Sequence, residues 1–577
     1  MVTVSKSQSF FELHFGWVVF LTIALVTFFL YQHALDSGFF LDDASSIRNE
    51  PLMLQQDVWP IFERFRLRFI GYLSFWLNYQ ISGEDPAAFR LVNLAIHAAN
   101  GMFVYVLSRL LFSAVDDSGP SIRTQRWIAL AIALVFIAHP LQTQAVTYIV
   151  QRLASLVTFF YLAALCAWMQ MLKSPSFAGK FGWIVTFVLS AIAACLTKQN
   201  AFTLPLVLVL LDLVVFRMVT LRQWLLIATA IAAAFLLTTI ISPAFLSELD
   251  LLTRETSTIS RWEYMRHQWV VLWIYLYKVI WPYPQVLDYG FELFSFGSVV
   301  IIIAGIGHAI VLSFAFRVSR TWPLVSFGIF FFYLAHSIES GFIPIRDLAF
   351  EHRNYLPLFG LFFAVGAAVV RAGAKRARAV EWTQIVFVFL FLFFAQATYS
   401  RNQMWAEQET LLKQDVAFNQ ENVRAKYSLA VWYDRNGRPE DALSTVKDML
   451  RNNKQGLDSV QLTLVVALLI DDEQYSEALD LIEAALAGRL SNRLRGDFLR
   501  LKGTALTGKG EDAEAIMKFE ESMRLSPLTY EGGLGYTYSL IQVGRLDEAK
   551  MQLERLEQRF GRKPRLELLQ QVLEGER

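Results

Sequence analysis

The chain has 577 residues, enough for more than one domain, and 55% of them are hydrophobic. The formal net charge of +1 is itself silent on nucleic acid, but no basic stripe interleaved with aromatic residues appears, so no nucleic-acid partner is expected. The two cysteines, Cys166 and Cys195, fall inside apolar runs and read as small core residues, which excludes a disulfide-built secreted scaffold.

In chain order, apolar windows fall near residues 16–34, 91–111, 127–138, 153–172, 181–195, 201–216, 224–241, 299–316, 322–337, 356–370 and 381–397. They predict about eleven membrane-spanning helices. The first lacks a small-residue cleavage site and is expected to stay as a helix. Lys and Arg collect in the short loops 109–126, 173–180, 217–222, 317–320 and 371–378. All five share one side if the aromatic segment 267–281 rests at the interface instead of crossing. The positive-inside rule makes that side cytoplasmic. The opposite side then receives 36–89, 139–152, 198–200, 242–296 and 339–355, together with the C-terminal part of the chain.

Beyond about residue 400, charged residues are frequent and no run reaches the ~20 apolar residues a span needs. A period begins near Asn422. Ala442, Ala478, Ala515 and Ala549 recur at spacings of 36, 37 and 34 residues, each after a turn that opens a second helix, and Pro527 closes the third unit. About four such units form the pattern of a tetratricopeptide array, whose stacked helix pairs bury a continuous core and leave a concave groove. The expected fold is all-α: a polytopic transmembrane helical bundle over residues 1–400, then a helical-repeat solenoid over 401–577. The groove suits an extended acceptor peptide, and a scaffold without a ligand of its own fits the same pattern.

Unusual polar residues gather in four of the outward segments. Asp42 and Asp43 follow the first span. They either cap a helix or supply a general base for an acceptor hydroxyl, with diverging side chains and separate roles. His139, Gln144, Gln151 and Arg152 interrupt the third and fourth spans. Arg152 either snorkels to the interface or joins His139 in a phosphate cradle. Lys198, beside Gln199, is either a topology anchor or the partner of a lipid phosphate. Arg346, Asp347, Glu351, His352 and Arg353 crowd the entry to a span, just before Tyr355. Internal ion pairs account for such a cluster, and so does a departing phosphate stabilised by His352 or Arg353 with Glu351 orienting it. No metal site is predicted: no spacing follows a metal-ligand rule, although the aspartate pair has the ligand chemistry for a divalent ion.

These four segments, in this order ahead of a repeat array, resemble the transmembrane and tetratricopeptide-repeat-containing protein O-mannosyltransferases, and look like that group's bacterial relatives in the GT-C glycosyltransferase superfamily. The marks are Phe40, Leu41, Asp42, Asp43, Ile47 and Asn49; His139, Pro140, Thr143, Ala145, Val146 and Arg152; Lys198; and Glu351, Arg353, Tyr355, Leu356 and Pro357. The resemblance implies an inverting transfer, without a cofactor, from a polyprenyl-phosphate-linked sugar to a protein serine or threonine. It implies a bacterial inner membrane, an extracytoplasmic site and a periplasmic repeat domain that engages the acceptor. On this reading Asp42 or Asp43 is catalytic, and His139, Arg152, Lys198, His352 and Arg353 hold the lipid phosphate. Gln144, Gln151, Gln199, Glu351 and Tyr355 support them. Two positions depart from the pattern, Gln144 and Gln199, where the family often carries glutamate; the sugar is therefore left open. A lipid-linked glycan ligase or polymerase and a membrane-anchored assembly scaffold are the competing readings.

Overall fold

A computed structural model describes residues 6–115, 121–241, 256, 259–290, 296–345, 347–373, 377–452, 457–526 and 529–574. Arg346, Pro527 and parts of the 242–296 and 371–378 stretches lie outside the described residues. The chain divides into two compact units, Met1–Phe418 and Asn419–Arg577, and the described residues form helices and turns.

In the first unit a helix stands at every expected span position. Lys6–Tyr31, Pro86–Phe112, Ile122–Ala138, Arg152–Lys173, Phe177–Cys195 and Leu204–Leu211 come first, followed by Leu221–Ile241, Ser298–Val318, Pro323–His336, Pro357–Gly373 and Ala377–Ala406. Among the described residues, seven helices are long and apolar enough to cross a membrane, or eight if Ile122–Ala138 and the bent continuation Pro140–Thr147 form one span. The 55° bend falls at Pro140, which lacks an N–H and crowds the preceding turn. The apolar helices make this unit a multi-pass membrane protein, and Phe177–Cys195 still turns Ile184, Val188, Leu189 and Ile192 outward. Pro323–His336 and Pro357–Gly373 are shorter and cross in close contact. A Cβ on Gly328 would lie 2.5 Å from the carbonyl of Gly360, and one on Gly360 2.6 Å from that of Gly328, the small-residue approach membrane helices use. That crossing fixes both ends of the polar turn between them.

Arg261–Ile280 is a continuous helix of 20 residues that falls outside the set apolar enough to cross. Both of its ends meet the polar turns of one face. The Tyr264 hydroxyl donates to the Glu339 carbonyl at 2.5 Å, and the Val279 carbonyl lies 3.0 Å from His139 Nε2.

The first unit extends past the expected boundary at residue 400. Leu411, in the helix Gln408–Phe418, packs with Phe40, Tyr148, Leu287 and Trp405. Asp415 accepts from the backbone N–H groups of Leu287 (2.9 Å) and Asp288 (3.2 Å).

The second unit is a run of helix pairs: Val423–Arg435 with Pro439–Asn452, Ser459–Asp471 with Tyr475–Leu486, Asn492–Gly508 with Asp512–Leu525, and Tyr530–Gln542 with Leu546–Phe560. Pro564–Glu574 follows them. Ala442, Ala478, Ala515 and Ala549 are all fully buried, as close helix approach requires. The turns between paired helices need a left-handed residue, supplied by Gly437, Gly510 and Gly544, and by Glu473 in the second pair.

Candidate functional site

The two adjacent aspartates have opposite environments. Asp43 is fully buried; one carboxylate oxygen accepts from Phe40 N–H at 3.0 Å and the other from Val150 N–H at 2.8 Å. It thereby ties the loop after the first span to the segment 139–152. Burial pushes its carboxyl up from 3.8 to about 7, against the pull of those two bonds and of Arg90. A raised carboxyl contributes stability that is fully present below the unfolded value and lost as pH rises through the folded one. The stability advantage of the wild type over Asp43→Asn should therefore be largest near pH 4 and shrink as pH passes 7, read from thermal unfolding of both proteins across that range. Asp42, one residue earlier, is exposed. Its N–H donates to the Tyr148 hydroxyl at 2.9 Å, and that hydroxyl also faces its carboxylate. Leu41 sits at φ +35°, a strained turn that costs a branched residue about 1 kcal/mol and that the Asp43 anchors hold in place.

Two buried arginines complete the scaffold. Arg90 donates through Nε to the Thr147 carbonyl at 2.9 Å and through its two terminal nitrogens to the carbonyls of Ser37 and Gly38. Arg152 engages its whole fork with neutral acceptors. Nε donates to Asn93 Oδ1 (2.6 Å), one terminal nitrogen to the carbonyl and hydroxyl of Ser74 (3.1 and 3.4 Å), and the other to Asn78 Oδ1 and the Phe89 carbonyl (both 2.8 Å). The guanidinium also lies over the Phe75 ring, 4.7 Å from its centre. Arg152 is thus a pin that fastens the helices Phe69–Ser82 and Pro86–Phe112 to the site, with no donor pointing away toward a phosphate. Lysine has three donors on a flexible stem and cannot copy this fork. Arg152→Lys should cost at least about 3 kcal/mol of stability, measured by denaturation in detergent, while the donor KM of the surviving folded protein stays near wild type.

The segment 139–152 is the spine of the site. His139 is buried between Val279 and its own turn: Nε2 meets the Val279 carbonyl at 3.0 Å, and Nδ1 accepts from Leu141 N–H at 3.3 Å. It serves the bend and not an anion. Gln144 donates to the Leu287 carbonyl (2.9 Å) and accepts from both the backbone N–H (2.8 Å) and the Nδ1 (3.2 Å) of His352. An amide does both; a carboxylate would do only the second, so glutamine at this position matches its surroundings. Glu351, also buried, accepts from Val286 N–H (3.0 Å) and the Tyr289 hydroxyl (3.2 Å). Burial raises its carboxyl.

Lys198 is brought to the 339–353 turn. Its ammonium is 2.6 Å from Glu339, both side chains are buried, and Asn200 Nδ2 donates to the second Glu339 oxygen at 3.0 Å. Arg353 and His352 lie within electrostatic reach of the same carboxylate. Burial raises the Glu339 carboxyl, yet Lys198 and Arg353 together hold it well below the usual range. Arg353 donates to Tyr264 Oη (3.1 Å), to the Leu348 carbonyl (2.9 Å) and to the Asp347 carbonyl (2.7 Å). His352 stays neutral because burial and the nearby Lys198 depress it. The cluster therefore sets two fixed cations, Lys198 and Arg353, against the Glu339 and Asp347 carboxylates beside the spine.

Three expected supporting residues lie further off. Tyr355 points into the bundle core, 2.6 Å from His97 Nδ1 and 3.1 Å from Asn100 Nδ2. Gln151 and Gln199 are half-buried next to Arg152 and Lys198. Sequence reasoning missed Arg90, Asn93 and Glu339, the groups that hold Asp43, Arg152 and Lys198. Glu339 carried a signal, since a carboxylate at the end of an apolar run needs a cation; Arg90 and Asn93 sit in the first turns of a span and look like ordinary helix-end residues.

Fold and site together define an α-helical multi-pass membrane protein that gathers an exposed carboxylate, held by a tyrosine, and a buried cluster of paired charges around one broken span. No family model matches the chain. It is similar to the protein O-mannosyl-transferase F38B6.6 of Caenorhabditis elegans, 24% identical over 439 residues, which is 71% of this chain and 59% of the worm protein. It is also similar to the protein O-mannosyl-transferase Tmtc1 of Drosophila melanogaster, 32% identical over 203 residues, and to TMTC2 of Mus musculus, 27% identical over 210. The chain covers 22% of the fly protein and 24% of the mouse protein, so it spans less than two thirds of each of these relatives.

Proposed function

We propose that the chain is a membrane O-glycosyltransferase that moves a sugar from a polyprenyl phosphate to a hydroxyl of an acceptor protein, on the extracytoplasmic face. The observation that carries this reading is the division of labour at Asp42–Asp43. A buried aspartate and the buried Arg90 lock the loop, and the neighbouring aspartate is left exposed with a tyrosine on its carboxylate. Asp42 takes the proton of the acceptor hydroxyl as that oxygen bonds to the anomeric carbon. The bond from that carbon to the phosphate oxygen breaks, and the electron pair leaves with the polyprenyl phosphate. Lys198 and Arg353 supply positive charge for the departing group. The attack from the far side inverts the anomeric centre. The helical repeats present the acceptor, and no metal or cofactor takes part in the scheme.

The relatives' names support the transfer class, and two buried cations beside the broken span, Lys198 and Arg353, support a phosphate-bearing donor. Comparing the O-glycosylated proteins and, separately, the surface glycolipids of a deletion strain and its parent tests the proposal. Loss of glycan from protein hydroxyls is expected. Intact glycoproteins with altered glycolipids would favour a glycan ligase.

A further inference from the structure

The turn that carries Glu339 and Arg353 also carries unpaired polar atoms. Both ring nitrogens of His336, Ser340 Oγ, Asn354 Oδ1 and Asn200 Oδ1 are buried and make no hydrogen bond within the described chain. The four residues are each more than nine-tenths buried. Both amides have already placed their nitrogens, Asn200 on Glu339 at 3.0 Å and Asn354 on the Glu351 carbonyl at 3.1 Å. Their oxygens remain as acceptors without a donor. The His336 ring is fixed by stacking on Tyr275, 5.5 Å between centres, and edge to face by Phe332 at 4.7 Å. The Asn354 amide faces this ring but forms no hydrogen bond of normal geometry with it. One amide oxygen would in any case leave the second ring nitrogen unserved.

These atoms gather at one place. Asn200 bonds Glu339, Ser340 follows it in the chain, and His336 and Arg353 lie within electrostatic reach of the same carboxylate. Lys198, Asn200, Glu339, Ser340 and His352 each keep 6–8% of their surface accessible, so a narrow crevice reaches the Lys198–Glu339 pair. Gly341, next in the chain, is buried, yet a Cβ built on it would meet no described atom within 4 Å. A buried polar group without a partner destabilises a fold, and several together ask for a reason. The unpaired set is rich in acceptors: two amide oxygens, a hydroxyl, and an imidazole that in its neutral form offers one acceptor and one donor. Phosphate has no donors for the amide oxygens, whereas a ligand bearing several hydroxyl groups pairs the whole set.

We propose that His336, Ser340, Asn200 and Asn354 form the subsite for the hydroxyl groups of the donor's sugar, beside the cations that meet its phosphate. The assignment rests on the reading of the chain as a polyprenyl-phosphate-dependent transferase. The sugar it takes is neutral, because the two amide oxygens repel the carboxylate of an acidic one. These side chains bind and orient the donor, and none of them makes or breaks a bond.

Binding and thermal unfolding of the full-length protein in detergent test this, with polyprenyl phosphate either bare or carrying mannose, glucose or glucuronic acid. The wild type should bind at least one neutral-sugar lipid more tightly than the bare lipid, and the glucuronyl lipid no better than the bare one. His336→Phe and Ser340→Ala should each erase about tenfold of that preference, the worth of one hydrogen bond. Both should bind bare polyprenyl phosphate as the wild type does and keep or raise the unfolding temperature, since each removes an unpaired group. Ser340→Ala, the smaller change, carries the test if His336→Phe does not fold. Ser326, also buried with an unpaired hydroxyl, lies roughly 15 Å away along the His336 helix, and Ser326→Ala should keep the full preference. A preference that survives in the two variants, as it would if these groups were served by water alone, overturns the subsite and leaves the transferase reading standing. An equal loss for the bare lipid or in Ser326→Ala, or tighter binding of the glucuronyl lipid, overturns it too. A wild type that binds no lipid of the series sinks the transferase reading and the subsite together.

Discussion

Asp42→Asn should lower sugar transfer by about 10²–10⁴-fold, the worth of a positioned general base, and leave thermal unfolding almost unchanged. The side chain is exposed, and the backbone bonds that hold the turn, Asp42 N–H to Tyr148 and Ser45 to the Asp42 carbonyl at 3.1 Å, survive the substitution. A surface change of this kind costs within about 0.5 kcal/mol. Asp43→Asn should do the reverse. Its two oxygens each accept a backbone N–H, and an amide offers only one acceptor oxygen. One buried N–H is left facing an NH₂ group, a penalty of about 1–3 kcal/mol. Transfer in Asp43→Asn should fall only as far as the folded fraction falls. Measuring product formation and unfolding midpoints on the same detergent preparations separates the two. Full activity in Asp42→Asn, with a stable but inactive Asp43→Asn, would exchange the roles.

The positions of the helices, the repeat period and the four polar segments were legible because each is written in local pattern: apolar length, an alanine every 34–37 residues, and charge where hydrocarbon was expected. The roles within the site were less legible, because distant partners set them. Which aspartate is buried depends on Val150 and Arg90. Arg152 reads as a phosphate ligand until the acceptors on Ser74, Asn78, Phe89 and Asn93 close around it, and those residues look unremarkable in their own helices. His139 beside a proline looks like a ligand, yet the bend itself uses both ring nitrogens. The boundary at residue 400 follows the end of the apolar run, but Leu411 and Asp415 bind the next helix to the first unit through residues near 287.

The Lys198–Glu339 pair is where stability and donor binding should part company. Both groups are buried, so Lys198→Met alone leaves a carboxylate with Asn200 and the more distant Arg353, and Glu339→Met alone leaves an ammonium without its anion. Each single change should cost about 3–5 kcal/mol, the usual penalty for stranding one buried charge. The double variant removes both charges and should recover most of that loss, because apolar replacements of a buried pair are often neutral. If the pair only holds the fold, activity returns with stability in the double variant. If Lys198 meets the donor phosphate, the double variant folds and still fails: donor KM rises, and polyprenyl phosphate, expected to raise the unfolding temperature of the wild type, no longer raises that of the variant. The cluster favours the second outcome. Glu339 is shared by Lys198, Arg353 and His352, so an arriving phosphate can take Lys198 while the carboxylate keeps Arg353. The Lys198 charge then falls on the leaving oxygen instead of on the protein's own glutamate.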